Sequence, residues 1–94
     1  MAIQAYIFIE STLGKAIQVA EAVAQLPGVQ MAHPVTGSYD VIAFVEARDL
    51  AALGDMLSQR MHRVPGVLKT TTNVVVERRE SGGAAAGAPR GKRS

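Results

Sequence analysis

The amino-acid sequence predicts an α+β fold in which a strand-helix-strand unit occurs twice. Three observations lead to this prediction. An apolar residue followed by Pro-Gly-Val occurs at residues 26–29 and again at residues 64–67. Helical periodicity precedes each of these tetrapeptides, and an apolar, strand-like segment precedes each helix. The repeat therefore predicts the element order βαββαβ.

The two Pro-Gly pairs, Pro27-Gly28 and Pro65-Gly66, are expected to connect each helix to the strand that follows it. Proline cannot continue a helix, and glycine accepts the backbone conformation that a tight turn requires. We therefore predict the first helix at about residues 14–26 and the second at about residues 49–64.

Each predicted helix has an apolar stripe, because its apolar residues recur at intervals of three and four. The stripe of the first helix comprises Ile17, Ala20, Val23 and Ala24. The stripe of the second comprises Leu50, Leu53, Leu57 and Met61. Ser11 or Thr12 is expected to cap the first helix, and Asp49 the second. Three residues in the predicted last turn of the second helix suit the negative end of its dipole: Arg60, His62 and Arg63.

Strands are predicted at about residues 2–10 and 39–47, and each is apolar on both faces. In the first strand, Ile3, Ala5, Ile7 and Ile9 oppose Tyr6 and Phe8; in the second, Val41, Ala43 and Val45 oppose Ile42 and Phe44. Right-handed crossovers close this order into a four-stranded antiparallel sheet with both helices on one face, the ferredoxin-like arrangement. Since two helices cover only one apolar face, we expect a dimeric α/β sandwich with Tyr6 and Phe8 in its interface.

Charge divides the sequence into a domain at residues 1–76 and a basic tail at residues 77–94. The domain carries five Lys/Arg and six Asp/Glu, a net −1, whereas the tail carries five and two, a net +3. The tail is rich in Gly, Ala and Ser and lacks large apolar side chains, so it is expected to be disordered. The absence of cysteine excludes thiolate sites, and no apolar run is long enough to span a membrane. A cytoplasmic protein without a membrane partner is therefore expected.

The sequence offers little for catalysis. Its two histidines, His33 and His62, lack the close spacing of metal ligands, and Ser11 and Ser38 lack the context of a nucleophilic serine. We therefore expect no enzyme activity, no metal and no cofactor.

Two polar segments are the candidates for ligand binding: Val-Thr-Gly-Ser-Tyr-Asp at residues 35–40 and Lys-Thr-Thr-Thr-Asn at residues 69–73. Three consecutive threonines place hydroxyl groups on both faces of the last strand, which requires partners if they are buried. The alternative is that threonine serves as a good strand former and Gly-Ser-Tyr-Asp as an ordinary hairpin turn.

Together these motifs resemble the effector-binding domain, or RAM domain, of the Lrp/AsnC family of transcriptional regulators. The resemblance covers about residues 2–76 and depends on the order of the Thr-Gly-x-Tyr-Asp turn, the two Pro-Gly-Val connectors and Lys-Thr-x-Thr in the last strand. It implies dimers formed through the sheets, assembly into higher, octamer-like rings, and amino-acid effectors bound between dimers near the turn. The residues that match the family motifs are Gly37, Asp40, Thr70 and Thr72. The turn residues Ser38 and Tyr39 complete the candidate ligand-binding set.

No helix-turn-helix segment precedes the first predicted strand, so the sequence is expected to be a stand-alone form without specific DNA binding, with a full-length Lrp/AsnC regulator as a candidate partner. We therefore predict an amino-acid-binding oligomerisation module. One alternative is a cofactor-free monooxygenase or isomerase, for which Tyr39 and His33 are the obvious catalytic candidates. Another is a ligand-free module that docks onto a full-length regulator.

Overall fold

A computed structural model describes residues 2–76 of the protein. The elements follow the order β1 (Ile3–Ser11), α1 (Ala16–Ala24), β2 (Val29–Pro34), β3 (Val41–Ala47), α2 (Leu50–Gln59), a 3-10 turn (Met61–Arg63) and β4 (Val67–Val74). The strands form one antiparallel sheet in the order β2-β3-β1-β4. The predicted ferredoxin-like α+β fold is confirmed, and the predicted tail at residues 77–94 lies outside the described residues.

The core lies between the sheet and the two helices. Strand β1 is central, and its Ala5, Ile7 and Ile9 side chains are fully buried. Val41, Ala43 and Val45 of β3 lie opposite them and are equally buried, as the alternating pattern predicted. The helices contribute five further buried residues to the same cluster: Val19, Ala20, Val23, Leu53 and Met56.

The other side of the sheet, which we call the outer face, carries Tyr6 and Phe8 from β1 and Ile42 and Phe44 from β3. Tyr6 is 41% exposed, and the other three side chains are half-buried. The predicted second apolar face is therefore present.

The two Pro-Gly pairs adopt matching connector geometries. Gly28 and Gly66 have φ angles of 90° and 99°, which favour glycine. A Cβ atom on Gly28 would lie 2.9 Å from the Glu46 carbonyl oxygen, and one on Gly66 would lie 2.9 Å from the Val19 side chain. Glycine is thus required for both its conformation and its close packing.

The connectors also join the two halves of the fold to one another. The Gly28 carbonyl accepts the Glu46 N–H, and the Gly66 carbonyl accepts the Thr12 N–H, both at 2.8 Å. Each glycine thus receives a hydrogen bond from the strand end of the other half. The two hydrogen bonds therefore link the two strand-helix-strand units to each other.

The first helix departs from prediction at its start. It begins at Ala16, and its N-cap residue, Lys15, makes no side-chain capping bond. Ser11 belongs to β1, and Thr12 accepts the Lys15 N–H through its backbone carbonyl at 3.0 Å. The prediction that Ser11 or Thr12 caps this helix is therefore wrong, because a turn separates the strand from the helix.

The predicted apolar stripe of α1 is also partly wrong. The buried side chains are Val19, Ala20 and Val23, whereas Ile17 is 65% exposed and Ala24 is exposed. Ile17 and Ala24 line a groove of 280 Å³ above the edge strand β2, together with Ala20, Glu21, Gln25, Ala32 and Pro34. The helix overhangs the edge of the sheet, so one flank of its apolar face has no core beneath it.

The predicted second helix is divided in two. Helix α2 ends at Gln59, so no basic residue lies in its last turn, and Met61 begins the 3-10 turn that contains His62 and Arg63. Because a 3-10 turn places residues three apart on one side, both Met61 and Val64 reach the core. At the start of α2, Leu50 is 62% exposed, and Met56 takes the buried position instead.

Asp49 caps α2 as predicted: its Oδ1 accepts the Ala52 N–H at 2.8 Å. This hydrogen bond, aided by Arg48, lowers the pKa of the Asp49 carboxyl below its usual value of 3.8. A group whose pKa is lowered by folding stabilises the protein above its unfolded pKa and loses that effect as the pH falls through its folded pKa.

We therefore expect Asp49→Ala to lower the melting temperature at neutral pH, with the difference from the wild type narrowing as the pH falls below 3.8. Asp49→Asn, which keeps a capping oxygen but lacks the charge, serves as the control and should melt between Asp49→Ala and the wild type at neutral pH. Thermal melts between neutral and acidic pH measure both effects. A difference between alanine variant and wild type that persists unchanged in acid would contradict the role of the ionised cap.

Candidate functional site

The turn at residues 36–40, which we call the 36–40 turn, connects β2 to β3 at one end of the sheet. Its ends are joined by a hydrogen bond from the Val35 N–H to the Asp40 carbonyl at 2.9 Å. Gly37 has a φ angle of 115°, and no atom lies within 4 Å of the position that a Cβ would take there. Gly37 and Ser38 are exposed. The turn therefore exposes its backbone at Gly37 and Ser38, while the Val35–Asp40 hydrogen bond holds its two ends together.

Asp40 attaches this turn to the central strand through two hydrogen bonds. Its N–H donates to the Ile9 carbonyl at 2.9 Å, and its Oδ2 accepts the Ser11 N–H at 2.8 Å. The carboxylate thus takes the place that a strand carbonyl would hold in the next rung of the β1–β3 ladder. The sequence predicted Asp40 as a ligand residue but did not predict this structural role.

Tyr39 lies against the outer face of the sheet. Its ring stacks on Phe8, with the ring centroids 5.1 Å apart and an interplanar angle of 29°. Tyr6 and Phe44 make a second aromatic pair on the same face, at 4.8 Å and 49°. The 36–40 turn is therefore joined to the outer face through Tyr39 as well as to the end of β1 through Asp40.

The threonines of β4 divide between the two faces of the sheet, as predicted. Thr70 lies opposite Ile9 and Thr72 opposite Ile7, so both point to the helix side. Thr71 lies opposite Phe8 on the outer face. All three are half-buried.

Thr70 also has a side-chain partner that the sequence did not predict. Its Oγ1 lies 2.7 Å from His62 Nε2, and this contact is open to solvent. His62 reaches Thr70 from the 3-10 turn, which the sequence analysis treated as the end of a longer helix.

The structure brings the two candidate segments to the same end of the sheet without joining them. Ile9 pairs with Val41 on one side and with Thr70 on the other, so β1 lies between Asp40 and Thr70. Two strand spacings amount to roughly 10 Å. Thr72 is two residues further along β4. Within one chain, the turn and the threonines therefore form two separate surfaces.

The residues proposed for an enzyme do not converge. His33 is exposed on the edge strand β2, and Tyr39 is stacked on the outer face. Three cavities of 280, 370 and 330 Å³ are formed by residues within 2–76, and neither His33 nor Tyr39 lines any of these three.

Among residues 2–76 there is no group of three or more His, Cys, Asp or Glu side chains placed to hold a metal ion. Over the same part of the chain, no helix is both long enough and apolar enough to cross a lipid bilayer.

Comparison with known proteins identifies the family. A family model described as the Lrp/AsnC ligand binding domain matches residues 4–84. The chain is 34% identical over 73 residues to an uncharacterized HTH-type transcriptional regulator from Pyrococcus abyssi, a match that covers 78% of this chain and 46% of that protein. The chain thus spans about half the length of the curated relatives it matches.

Solved structures show the same fold. The crystal structure of TTHA0845 from Thermus thermophilus superposes with a TM-score of 0.77 at 30% identity, covering 84% of this chain and 99% of that one. The transcriptional regulator NMB0573 from Neisseria meningitidis, solved as a complex with L-Met, has the same fold with a TM-score of 0.71 at 20% identity, covering 84% and 53%. The resemblance seen in the sequence is confirmed, and the chain belongs to the Lrp/AsnC family through its ligand-binding domain.

Proposed function

We propose that this domain binds an amino-acid effector at the 36–40 turn and couples that binding to the assembly of several copies, without catalysing a reaction. The observation that carries the proposal is the fixed carboxylate of Asp40 beside an exposed, open backbone at Gly37. The L-Met complex of a relative with the same fold supports an amino acid as the class of ligand.

The chemistry of the turn suits a zwitterion. Asp40 uses Oδ2 to hold the Ser11 N–H, and its negative charge and remaining lone pairs are available to a ligand ammonium group. Among residues 2–76, no acceptor is found for the backbone N–H groups of Gly37 and Ser38, which suit a ligand carboxylate. Glycine at position 37 allows the ligand to approach the backbone closely.

Thr70 and Thr72 would complete the ligand shell from a second copy of the chain. Strand β1 separates them from the turn within one chain, so they can meet the same ligand only across an interface. A ligand held in this way would link two copies, which is the physical basis of the proposed coupling between binding and assembly.

The outer face is the proposed dimer interface. Tyr6 and Phe8, with their aromatic partners, form an apolar surface that the helices do not cover. Dimers formed there would cover Tyr39 but leave Gly37, Ser38 and the edge strand β4 accessible for higher, ring-like assembly. The same face could accept a full-length Lrp/AsnC regulator as a partner. Specific DNA binding forms no part of the proposal.

A thermal-shift screen of the twenty amino acids, followed by calorimetry and light scattering with any hit, tests the proposal directly. Stabilisation by at least one amino acid, together with a change in assembly mass, is expected. If no amino acid binds while the chain still associates with a full-length regulator, the ligand-free partner function replaces the sensor.

Substitution of Asp40 separates its two roles. Asp40→Ala removes the acceptor of the Ser11 N–H, and we expect the free energy of unfolding to fall by about 1–3 kcal/mol. Asp40→Asn keeps an oxygen for that bond and removes only the charge, so its free energy of unfolding should be close to that of the wild type. Both variants should weaken binding of the amino-acid hit about ten- to hundredfold. Chemical denaturation and calorimetry measure the two effects, and unchanged affinity in Asp40→Asn would exclude Asp40 as the ammonium partner.

Gly37→Val should impair binding and higher assembly together. The φ angle of 115° is strained for a β-branched residue, and the added side chain would occupy the open space over the turn. Gly54→Ala is the matched control, because Gly54 lies within α2 and a Cβ there meets nothing within 4 Å. The control should bind normally and be as stable as the wild type or slightly more so. Normal ligand affinity in Gly37→Val would leave the turn a plain hairpin.

Phe8→Lys should abolish dimer formation, because a charge would be placed in an apolar interface. Gln59→Lys adds the same charge on the exposed surface of α2 and should leave the dimer intact. Light scattering at micromolar concentration compares the two variants with the wild type. A monomeric wild type, or a Phe8→Lys variant that still dimerises, would contradict the proposed interface.

A further inference from the structure

Strand β4 has a free edge. In the part of the chain that the structure describes, β4 pairs only with β1, so the sheet ends there, as it does at β2 on the other side. The two edge strands differ in sequence. Strand β2 contains Pro34, and its pairing with β3 shifts between Val29 and Met31. Residues 67–76 contain no proline and one charged residue, Lys69. Since proline, charge and irregular pairing keep exposed edges from pairing with other chains, β4 is the less protected edge.

The backbone of β4 pairs regularly with β1 from Lys69 to Val75. The register shift in this pairing precedes Lys69, and the Val75 N–H donates to the Gln4 carbonyl at 2.8 Å. Backbone groups of successive residues alternate in direction along a strand, so the odd-numbered residues of this segment direct their N–H and C=O groups toward β1. The free edge therefore presents the N–H and C=O groups of the three even-numbered residues: Thr70, Thr72 and Val74.

These three residues are spaced symmetrically about Thr72. In a second copy of β4 that lay antiparallel with Thr72 opposite Thr72, Thr70 of each copy would lie opposite Val74 of the other. Each hydrogen-bonded pair of an antiparallel ladder exchanges two N–H···O bonds, so every outward N–H and C=O of the regular segment would find a partner. Any other twofold register would pair at least one of the three with a residue outside this segment.

The side chains agree with the same register. On the helix side, Thr72 would meet Thr72 and Thr70 would meet Val74, and β-branched residues are favourable neighbours across strands. On the outer side, Lys69 would lie opposite Val75, so no two like charges would meet. Val74 is 42% exposed and Val76 is 85% exposed, and pairing would cover part of this apolar surface.

We propose that β4 pairs antiparallel with β4 of a second copy of the chain, centred on Thr72, so that two four-stranded sheets become one continuous sheet. This contact uses backbone groups at the sheet edge, and it depends neither on the aromatic residues of the outer face nor on an amino-acid effector. Two different twofold interfaces on one chain extend an assembly beyond a dimer. Together with the outer-face dimer of the proposed function, the edge pairing would supply the second contact that a ring requires.

Single cysteines test the register, because the chain has no cysteine of its own. The Cα atoms of a hydrogen-bonded pair lie about 5.5 Å apart, which is within the range of a disulfide. Thr72→Cys should therefore give a crosslinked dimer on mild oxidation, read on non-reducing gels. Thr70→Cys or Val74→Cys alone should not, since each residue would lie roughly 14 Å along the strand from its counterpart. An equimolar mixture of these two variants should crosslink.

A proline tests the backbone bonds. In the Thr72→Cys variant, Val74→Pro removes an N–H that points to the free edge and leaves the bonds to β1 in place. Val74→Ala keeps that N–H and is the matched control. We expect Val74→Pro to slow crosslinking about tenfold, because two hydrogen bonds are lost for each pair of copies. Val74→Ala should crosslink nearly as fast as its parent, and thermal melts establish that both variants are folded.

Absence of a crosslink in Thr72→Cys would overturn the proposal, and so would equal crosslinking of all three single-cysteine variants, which indicates random collision. Loss of the Thr72→Cys crosslink in a folded Phe8→Lys variant would also overturn it, because the cysteines would then meet only through the outer-face dimer. None of these results decides whether an amino acid binds at the 36–40 turn, which calorimetry tests separately.

Discussion

The structure depends on the double pairing of strand β1. This strand is hydrogen-bonded to β3 along one edge and to β4 along the other, and its Ala5, Ile7 and Ile9 side chains are fully buried. A strand in this position must be apolar on its helix side, and here it is apolar on the outer side as well. The same strand lies between Asp40 and Thr70, so it also keeps the two polar segments apart within one chain.

The features that were predictable from the sequence are those with a local physical cause. Alternation along β1 and β3 revealed both faces of the sheet, and Pro-Gly chemistry located both connectors. The exposure of Ile17 was not predictable, because it depends on where α1 crosses the sheet edge rather than on periodicity. The 3-10 turn after Gln59 was missed because Leu57 and Met61 also fit the spacing of a continuous α-helix.

The candidate site also combines residues that a local motif identifies with contacts that depend on the three-dimensional fold. Gly37 and Asp40 were identifiable from the turn motif, whereas the Asp40–Ser11 bond joins residues 29 positions apart and required the three-dimensional register. The His62–Thr70 contact spans only eight positions, yet it crosses the Pro-Gly connector and depends on how tightly the chain turns there.

The register shift between Glu10 and Ser11 has a consequence for how this family can vary. Because side chains alternate along a strand, adding one residue between this bulge and Thr70 would turn every following side chain of β4 over. Thr71 would then face the helices, and Thr70 and Thr72 would face the apolar sheet surface. Insertions of two residues would keep each hydroxyl on its side and only translate it along the strand. Length changes at the start of β4 are therefore tolerable in pairs, and an odd change would exchange the functions of the two faces in a single step.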